Sequence, residues 1–283
     1  MNIDLSKICC FGVAGNFTGH LEQAGEAESF KNVVTKTQDE PKAVFPTYIP
    51  DSSPEIPEFL NVFPFSSEKI SYPPESDEEQ NLQIESECAV IFDVAWENGK
   101  ICCLKPVCFG ASNDCSIRRK GKCKISWKKN WGKNTKGFSS NAIEIDRFSS
   151  AGNISRYRIK SFLVRPFRQV FEYGEDSRIS DYSYIYDRLT EWLVNKINTQ
   201  EDFESAENIR LYLEKAGFPE KIMVSIGATR YTDFGKENFL QKGDEAVVVL
   251  YPEDKYKGEE ITGFVQNADY SKTDISFLVQ KIV

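Results

Sequence analysis

Glu85-Ser86-Glu87-Cys88-Ala89-Val90-Ile91-Phe92-Asp93-Val94 is the stretch on which the fold turns. From residue 87 onward it is a short apolar run rich in β-branched and aromatic side chains, which predicts a strand over 87–94. Two further runs read the same way: Tyr157-Arg158-Ile159-Lys160-Ser161-Phe162-Leu163-Val164 and Glu245-Ala246-Val247-Val248-Val249-Leu250-Tyr251. Helical spacing is found in two places. Asp187 to Ile197 is one. The other starts near Ser205, runs through Ala206, Ile209, Leu211 and Leu213, and stops at Gly217 and Pro219. The expectation is an α+β chain, mainly β, without the regular β-α alternation of a doubly wound sheet.

Before the carboxylate strand the composition changes. Eight of the twelve prolines lie between Pro41 and Pro74, a density that excludes long helices and central strands there. Residues 1–75 therefore read as a smaller N-terminal region and 76–283 as the body. With 283 residues, 40% of them hydrophobic, the chain can bury a proper core. No stretch reaches the about 18 uncharged apolar residues of a membrane span. The opening Met1-Asn2-Ile3-Asp4-Leu5-Ser6-Lys7 lacks the basic and apolar regions of a secretory signal, so a cytoplasmic protein without membrane association is expected.

The net charge of −8 is unevenly spread. From Ser116 to Lys136 there are nine Lys or Arg and no Asp or Glu, against 26 basic and 43 acidic residues elsewhere. One basic segment on an acidic body suits a pocket for a small anion better than a nucleic-acid surface, which needs a wide positive face. Most of these basic residues, Lys122 and Lys129 for instance, are expected in a solvated loop. The eight cysteines form no C-x-x-C knuckle and alternate with Ile, Val and Leu, as in Ile101-Cys102-Cys103-Leu104. That pattern predicts small apolar core residues in a reducing compartment, not a zinc site.

Glu85 and Glu87 stand two apart in a segment that reads as strand, so both point to one face, which Ala89 and Ile91 continue inward. A third carboxylate, Asp114, follows in the turn-like Ser112-Asn113-Asp114-Cys115-Ser116-Ile117-Arg118. Crowded carboxylates repel unless one takes a proton or a cation sits between them. Three with no histidine nearby suit a hard cation such as Mg²⁺, Mn²⁺ or Ca²⁺, although an E-x-E pair on a strand is also an ordinary solvated face.

The order of motifs resembles the fumarylacetoacetate hydrolase superfamily, with its G-x-N-Y-x-x-H-x-x-E, E-x-E-L-A, N-D-x-S-x-R, W-x-x-x-K-S-F, T-G-T-P and K-P-G-D segments. This chain offers Gly12 leading to Asn16-Phe17-Thr18-Gly19-His20, then Glu85-Ser86-Glu87-Cys88-Ala89 and Asn113-Asp114-Cys115-Ser116-Ile117-Arg118. Trp131-Gly132-Lys133-Asn134, Ser225-Ile226-Gly227-Ala228-Thr229 and Leu240-Gln241-Lys242-Gly243-Asp244 follow in the family order.

The resemblance implies a mixed β-sandwich or β-roll body and a homodimer, with Phe162-Leu163-Val164 and Phe167 through Phe171 as candidate interface. It implies a divalent ion on Glu85, Glu87 and Asp114. It further implies hydrolysis or decarboxylation of a small 2-oxo or 1,3-dicarbonyl acid at a C–C bond, the metal serving as Lewis acid. Arg118 and Lys133 then hold the substrate carboxylate or a developing enolate, and Gly227, Ala228 and Thr229 form the turn that contacts substrate. His20, the only histidine, falls where the family carries the base of a mobile lid. Gln23 stands where the family has an acid, and Ala228 where it has a threonine. Glu22, two residues along a helix from His20, points about 200° away.

Two other functions are carried beside this one. The chain keeps the fold and metal but has lost or altered the chemistry, and serves in binding or assembly. Alternatively, the basic segment with Trp127 and Trp131 stacks on and neutralises nucleic acid.

Overall fold

The computed structural model describes residues 3–26, 30, 33, 35–50, 53–75, 80–118 and 124–283. The residues of the acidic turn at 76–79, and Lys122 and Cys123 of the basic segment, lie outside the described residues. The architecture is α+β and mainly β. In chain order come β1 (Cys9–Ala14), α1 (His20–Gln23), β2 (Ala43–Tyr48), β3 (Lys69–Ile70), β4 (Leu82–Gln83), β5 (Ser86–Glu97) and β6 (Lys100–Asn113). Then follow β7 (Ser116–Ile117), α2 (Ile125–Lys129), β8 (Gly137–Phe138), β9 (Ile143–Glu144), β10 (Tyr157–Arg165) and β11 (Gln169–Arg178). The last part holds α3 (Tyr186–Thr199), α4 (Ile209–Lys215), β12 (Lys221–Ala228), α5 (Asp233–Glu237), β13 (Glu245–Pro252), α6 (Gly258–Gln266) and β14 (Ser276–Ile282).

One large sheet has the order β2-β1-β12-β5-β6-β8, with β9 also on β6; a second has the order β11-β10-β13-β14-β3. Residues 1–75 supply β1 and β2 to the first and β3 to the second, so the proline-rich change of composition runs through both sheets. Pro46 lies in β2 and is tolerated because β2 is an edge strand. Pro106 lies in a central strand, where the β5–β6 register shifts between Ile91 and Phe92.

The two sheets share one core. Val90, Phe92 and Phe109 from the first pack in one cluster with Ile159, Val248, Leu250 and Leu278 from the second. Alternate residues of β13 serve different cores: Ala246, Val248 and Leu250 join that cluster, while Val247, Val249 and Tyr251 pack with Ile261 and Val265 of α6. A strand covered on both faces explains the unbroken apolar run 246–251. Each such side chain contributes about 1.5–3 kcal/mol by leaving water. Phe162, Leu163 and Val164 are buried in β10 in the same way, which corrects their reading as interface surface. Phe167, at the β10–β11 turn, is 97% exposed.

The predicted strands lie within β5, β10 and β13, and α3 covers the first predicted helix. The second helix starts later than expected, because Asn208 caps it by accepting the Leu211 N–H at 3.1 Å. Among the described cysteines Cys9, Cys10, Cys88, Cys108 and Cys115 are buried, whereas Cys102 and Cys103 are exposed on β6. No helix among the described residues is long and apolar enough to cross a membrane.

One buried side chain ties the N-terminal segment to the strand that will matter for the site. Asn16 donates from Nδ2 to the carbonyls of Tyr184 (2.9 Å) and Ile226 (2.8 Å), and its Oδ1 accepts the Tyr184 N–H at 2.8 Å. Asn16→Ala strands these groups without water. The expected outcome is a loss of about 2–4 kcal/mol in urea unfolding, seen as a lower midpoint with an unchanged slope.

Candidate functional site

Two antiparallel ribbons meet end to end. β5 pairs with β6 through Ser86 and Asn113, and immediately beyond them β4 pairs with β7 through Gln83 and Ser116. Glu85 and Asp114 occupy the junction: the Asp114 N–H donates to the Glu85 carbonyl at 3.1 Å, and the Glu85 N–H to Asn113 Oδ1 at 3.1 Å. Glu87 opens the row of β5 side chains that Ala89 and Ile91 continue into an apolar cluster with Met223 and Phe138. Glu85, Glu87 and Asp114 are all buried, and each offers an oxygen within 4.8 Å of the others.

A bulge places a backbone donor for Glu87. β12 pairs with β5 through Ser225 and Ala89, then through Ala228 and Glu87, so its chain bows out between. Gly227 sits in the bow with φ +117°, where a Cβ would lie 3.1 Å from that of Asn16. Its N–H turns inward and donates to Glu87 Oε2 at 3.0 Å.

Cations fill the rest of the centre. Lys129 Nζ donates to Glu85 Oε2 and, at 2.5 Å, to Asp114 Oδ2. Arg118 holds Glu85 Oε1 at 2.7 Å while also donating to Gln83 Oε1 and the Tyr231 hydroxyl, both at 2.6 Å. Lys136 Nζ lies 3.1 Å from Asp114 Oδ1 and bonds the carbonyls of Cys115 and Lys129. It thereby ties the Asp114 turn to the end of α2. Burial opposes the charge on Glu85, but Lys129 and Arg118 outweigh it and hold this carboxyl well below the usual carboxylate range. Glu87 goes the other way: burial, then the charge of Asp114, pushes it well above. Burial also lowers Lys136, whereas Lys129 is raised despite burial by Asp114 and Glu85.

The residue range 26–282 matches the sequence profile of a family of unknown function, DUF5718. The chain belongs to that family. No curated protein matches it. In this DUF5718 chain the carboxylates and their lysines lie within the matched range, and His20 and Gln23 precede it.

His20 is buried and lines a cavity of about 40 Å³ together with Glu85, Glu87, Ala228 and Lys129, room for one or two waters. Its Nδ1 lies 2.8 Å from the Thr229 carbonyl, which can only accept, so Nδ1 carries the proton and Nε2 is the free acceptor. Gln23 does not reach the ring. Its Oε1 accepts the Tyr231 N–H at 2.8 Å and its Nε2 points to the Tyr231 carbonyl at 3.5 Å, so it fastens α1 to the chain after β12. Thr229 spends its hydroxyl on Ser86, 3.0 Å away. Lys133, expected as an anion holder, is exposed and does not line the cavity.

Among the described residues of the basic segment, several lysines turn to acidic partners elsewhere in the chain. Lys124 pairs with Asp202, Lys128 with Glu26, and Lys129, expected in a solvated loop, is at the centre. The sequence did carry a sign of this: Ile125 and Lys129 stand four apart on α2, and Ile125 is buried. Lys136-Gly137-Phe138 likewise repeats the K-x-F that ends the W-x-x-x-K-S-F pattern, one residue later than the pattern counted from Trp131 would place it. Glu26, which also lines the cavity, had no such sign.

Burial pushes the His20 imidazole down to about 4 against the pull of Glu85. In the unfolded chain it titrates near 6.5. Below that pH the unfolded state takes a proton that the folded state refuses, so stability is present above about 6.5 and is lost as pH falls towards 4. This single group accounts for up to about 3 kcal/mol. Urea unfolding between pH 7 and 4 is expected to show a steeper loss for the wild type than for His20→Gln, which has nothing to protonate.

Proposed function

We propose that this protein is a divalent-metal-dependent hydrolase or decarboxylase that cleaves a C–C bond in a small 2-oxo or 1,3-dicarbonyl acid, as a divergent relative of the fumarylacetoacetate hydrolase superfamily with its mixed β-sandwich or β-roll body. The observation that carries this reading is the convergence of Glu85, Glu87 and Asp114, within 4.8 Å of one another, beneath the single histidine. The donor set fits Mg²⁺, Mn²⁺ or Ca²⁺: all oxygen, in the separation range of one coordination shell, about 4–5 Å at most. Glu87, whose carboxyl is pushed above the usual carboxylate range by burial and then by the charge of Asp114, is a ligand whose ionised form a cation would favour. When bound, the metal would polarise a substrate carbonyl and stabilise the negative charge left by the departing group.

The chain's own residues do the rest. His20, neutral at physiological pH and fixed by Thr229, takes a proton from water at Nε2, and the hydroxide adds to the carbonyl carbon. The C–C bond breaks with its electron pair leaving on the other fragment, which then recovers a proton. Arg118, held between Glu85 and Tyr231, keeps positive charge beside the reaction. A cavity of about 40 Å³ is too small for a dicarbonyl acid, so α1 must lift to admit one. Gly15 and Gly19, at φ +75° and +85°, flank the turn that leads into it.

One observation favours the second reading, a binding or assembly protein that has lost the chemistry. Gln23 is committed to the Tyr231 backbone, and among the described residues no carboxylate is hydrogen-bonded to His20. Two measurements separate the readings. Chelator-stripped protein is expected to melt higher with millimolar Mn²⁺ or Mg²⁺, and Glu87→Ala to abolish that response. Turnover of oxaloacetate or an acylpyruvate is expected to fall by about 10²–10⁴ in His20→Ala. A metal response without turnover of either compound, and without any effect of His20→Ala, would select the second reading.

A further inference from the structure

We propose that the Lys129 ammonium is the resident cation of the carboxylate cluster and exchanges with the divalent ion, which drives it into the cavity to become the holder of the substrate's anionic group. This rests on the metal-dependent reading above and assigns that site an internal competitor. The oxygens that Lys129 bonds, Glu85 Oε2 and Asp114 Oδ2, belong to two of the three carboxylates that would ligate the metal. A divalent ion sits about 2.0–2.6 Å from its oxygens. An ammonium still bonded to the same carboxylates would lie only a few ångströms from it, and two cations so close repel strongly in a buried site. One charge must leave.

The fold lets the side chain leave while the backbone stays. α2 is anchored at several points: Ser126 Oγ donates to Glu207 Oε1 at 2.9 Å, Lys124 bonds Asp202 and the Ala206 carbonyl, and Lys136 donates to the Lys129 carbonyl. From that fixed end a flexible four-carbon stem carries the charge. Lys129 already lines the cavity, and the face of Phe45, its ring centroid 5.1 Å from Nζ, offers a resting place for a displaced cation. Metal entry then does two things together. It vacates the carboxylates and adds a positive group to the space where a small acid would bind, the part that exposed Lys133 cannot play.

The test is Lys129→Met, which keeps the apolar stem and removes the charge, with Lys129→Arg as the variant that keeps a cation. Mn²⁺ alone is titrated calorimetrically into each full-length, chelator-stripped protein, and each is melted without metal. Lys129→Met is expected to bind Mn²⁺ at least about tenfold tighter than wild type, a gain of about 1.4 kcal/mol, while melting lower without metal. Lys129→Arg is expected to show no gain in affinity. Opposite movement of affinity and metal-free stability sets exchange apart from simple damage, which lowers both. Equal or weaker Mn²⁺ binding by Lys129→Met, with the wild type binding, overturns the exchange and leaves the metal reading standing. Absence of Mn²⁺ binding in all three proteins overturns both.

Discussion

Three carboxylates cannot share a dry space without positive charge among them, and the architecture around residues 85, 87 and 114 answers that constraint. A lone buried carboxylate costs several kcal/mol even after relaxation. Here Lys129, Arg118 and Lys136 bring compensating charge from the segment 118–136, and Gly227 adds a backbone N–H from the bulge in β12. The strands exist for apolar reasons. The way they end at this point is electrostatic.

Seen from that centre, the unequal charge distribution along the chain becomes intelligible. The segment 116–136 carries no acidic residue of its own because its partners are elsewhere: Glu85 and Asp114 on the ribbons, Glu26 near the cavity, Asp202 before α4. Local charge pairing would have kept these lysines at the surface. Distant pairing fixes the end of α2 against the two ribbons. The same economy governs the opening side, where His20 and Gln23 both bind backbone atoms of residues 229–231, so α1 closes the cavity by gripping the end of β12.

These opposed grips differ in kind. The α2 side is held by charge-assisted bonds among buried groups, roughly twice as strong as neutral ones. On the α1 side His20 and Gln23 make neutral hydrogen bonds to backbone, and Glu26, just beyond the helix, is held by Lys128.

The sequence by itself determined the strands of the core, because a doubly covered strand needs apolar residues at every position, as in 246–251, and no other element tolerates such a run so well. It determined the first of the two predicted helices over most of its length and the facing of Glu87 with Ala89 and Ile91, since period two on a strand is a local rule, whereas Glu85 sits at the junction before β5. What only the tertiary structure decided was the pairing of charges. A lysine's sequence neighbours do not reveal whether its four-carbon stem ends in water or on a carboxylate 44 residues away, as with Lys129 and Glu85. The same holds for Lys133 and Lys136, three residues apart, one exposed and one sealed against Asp114. Gln23 shows the converse: its amide was free to serve the imidazole, and the position of the Tyr231 backbone claimed it. Long flexible side chains take their partners from the packing of distant segments, and that packing is set by the apolar sheets, not by the residues beside them.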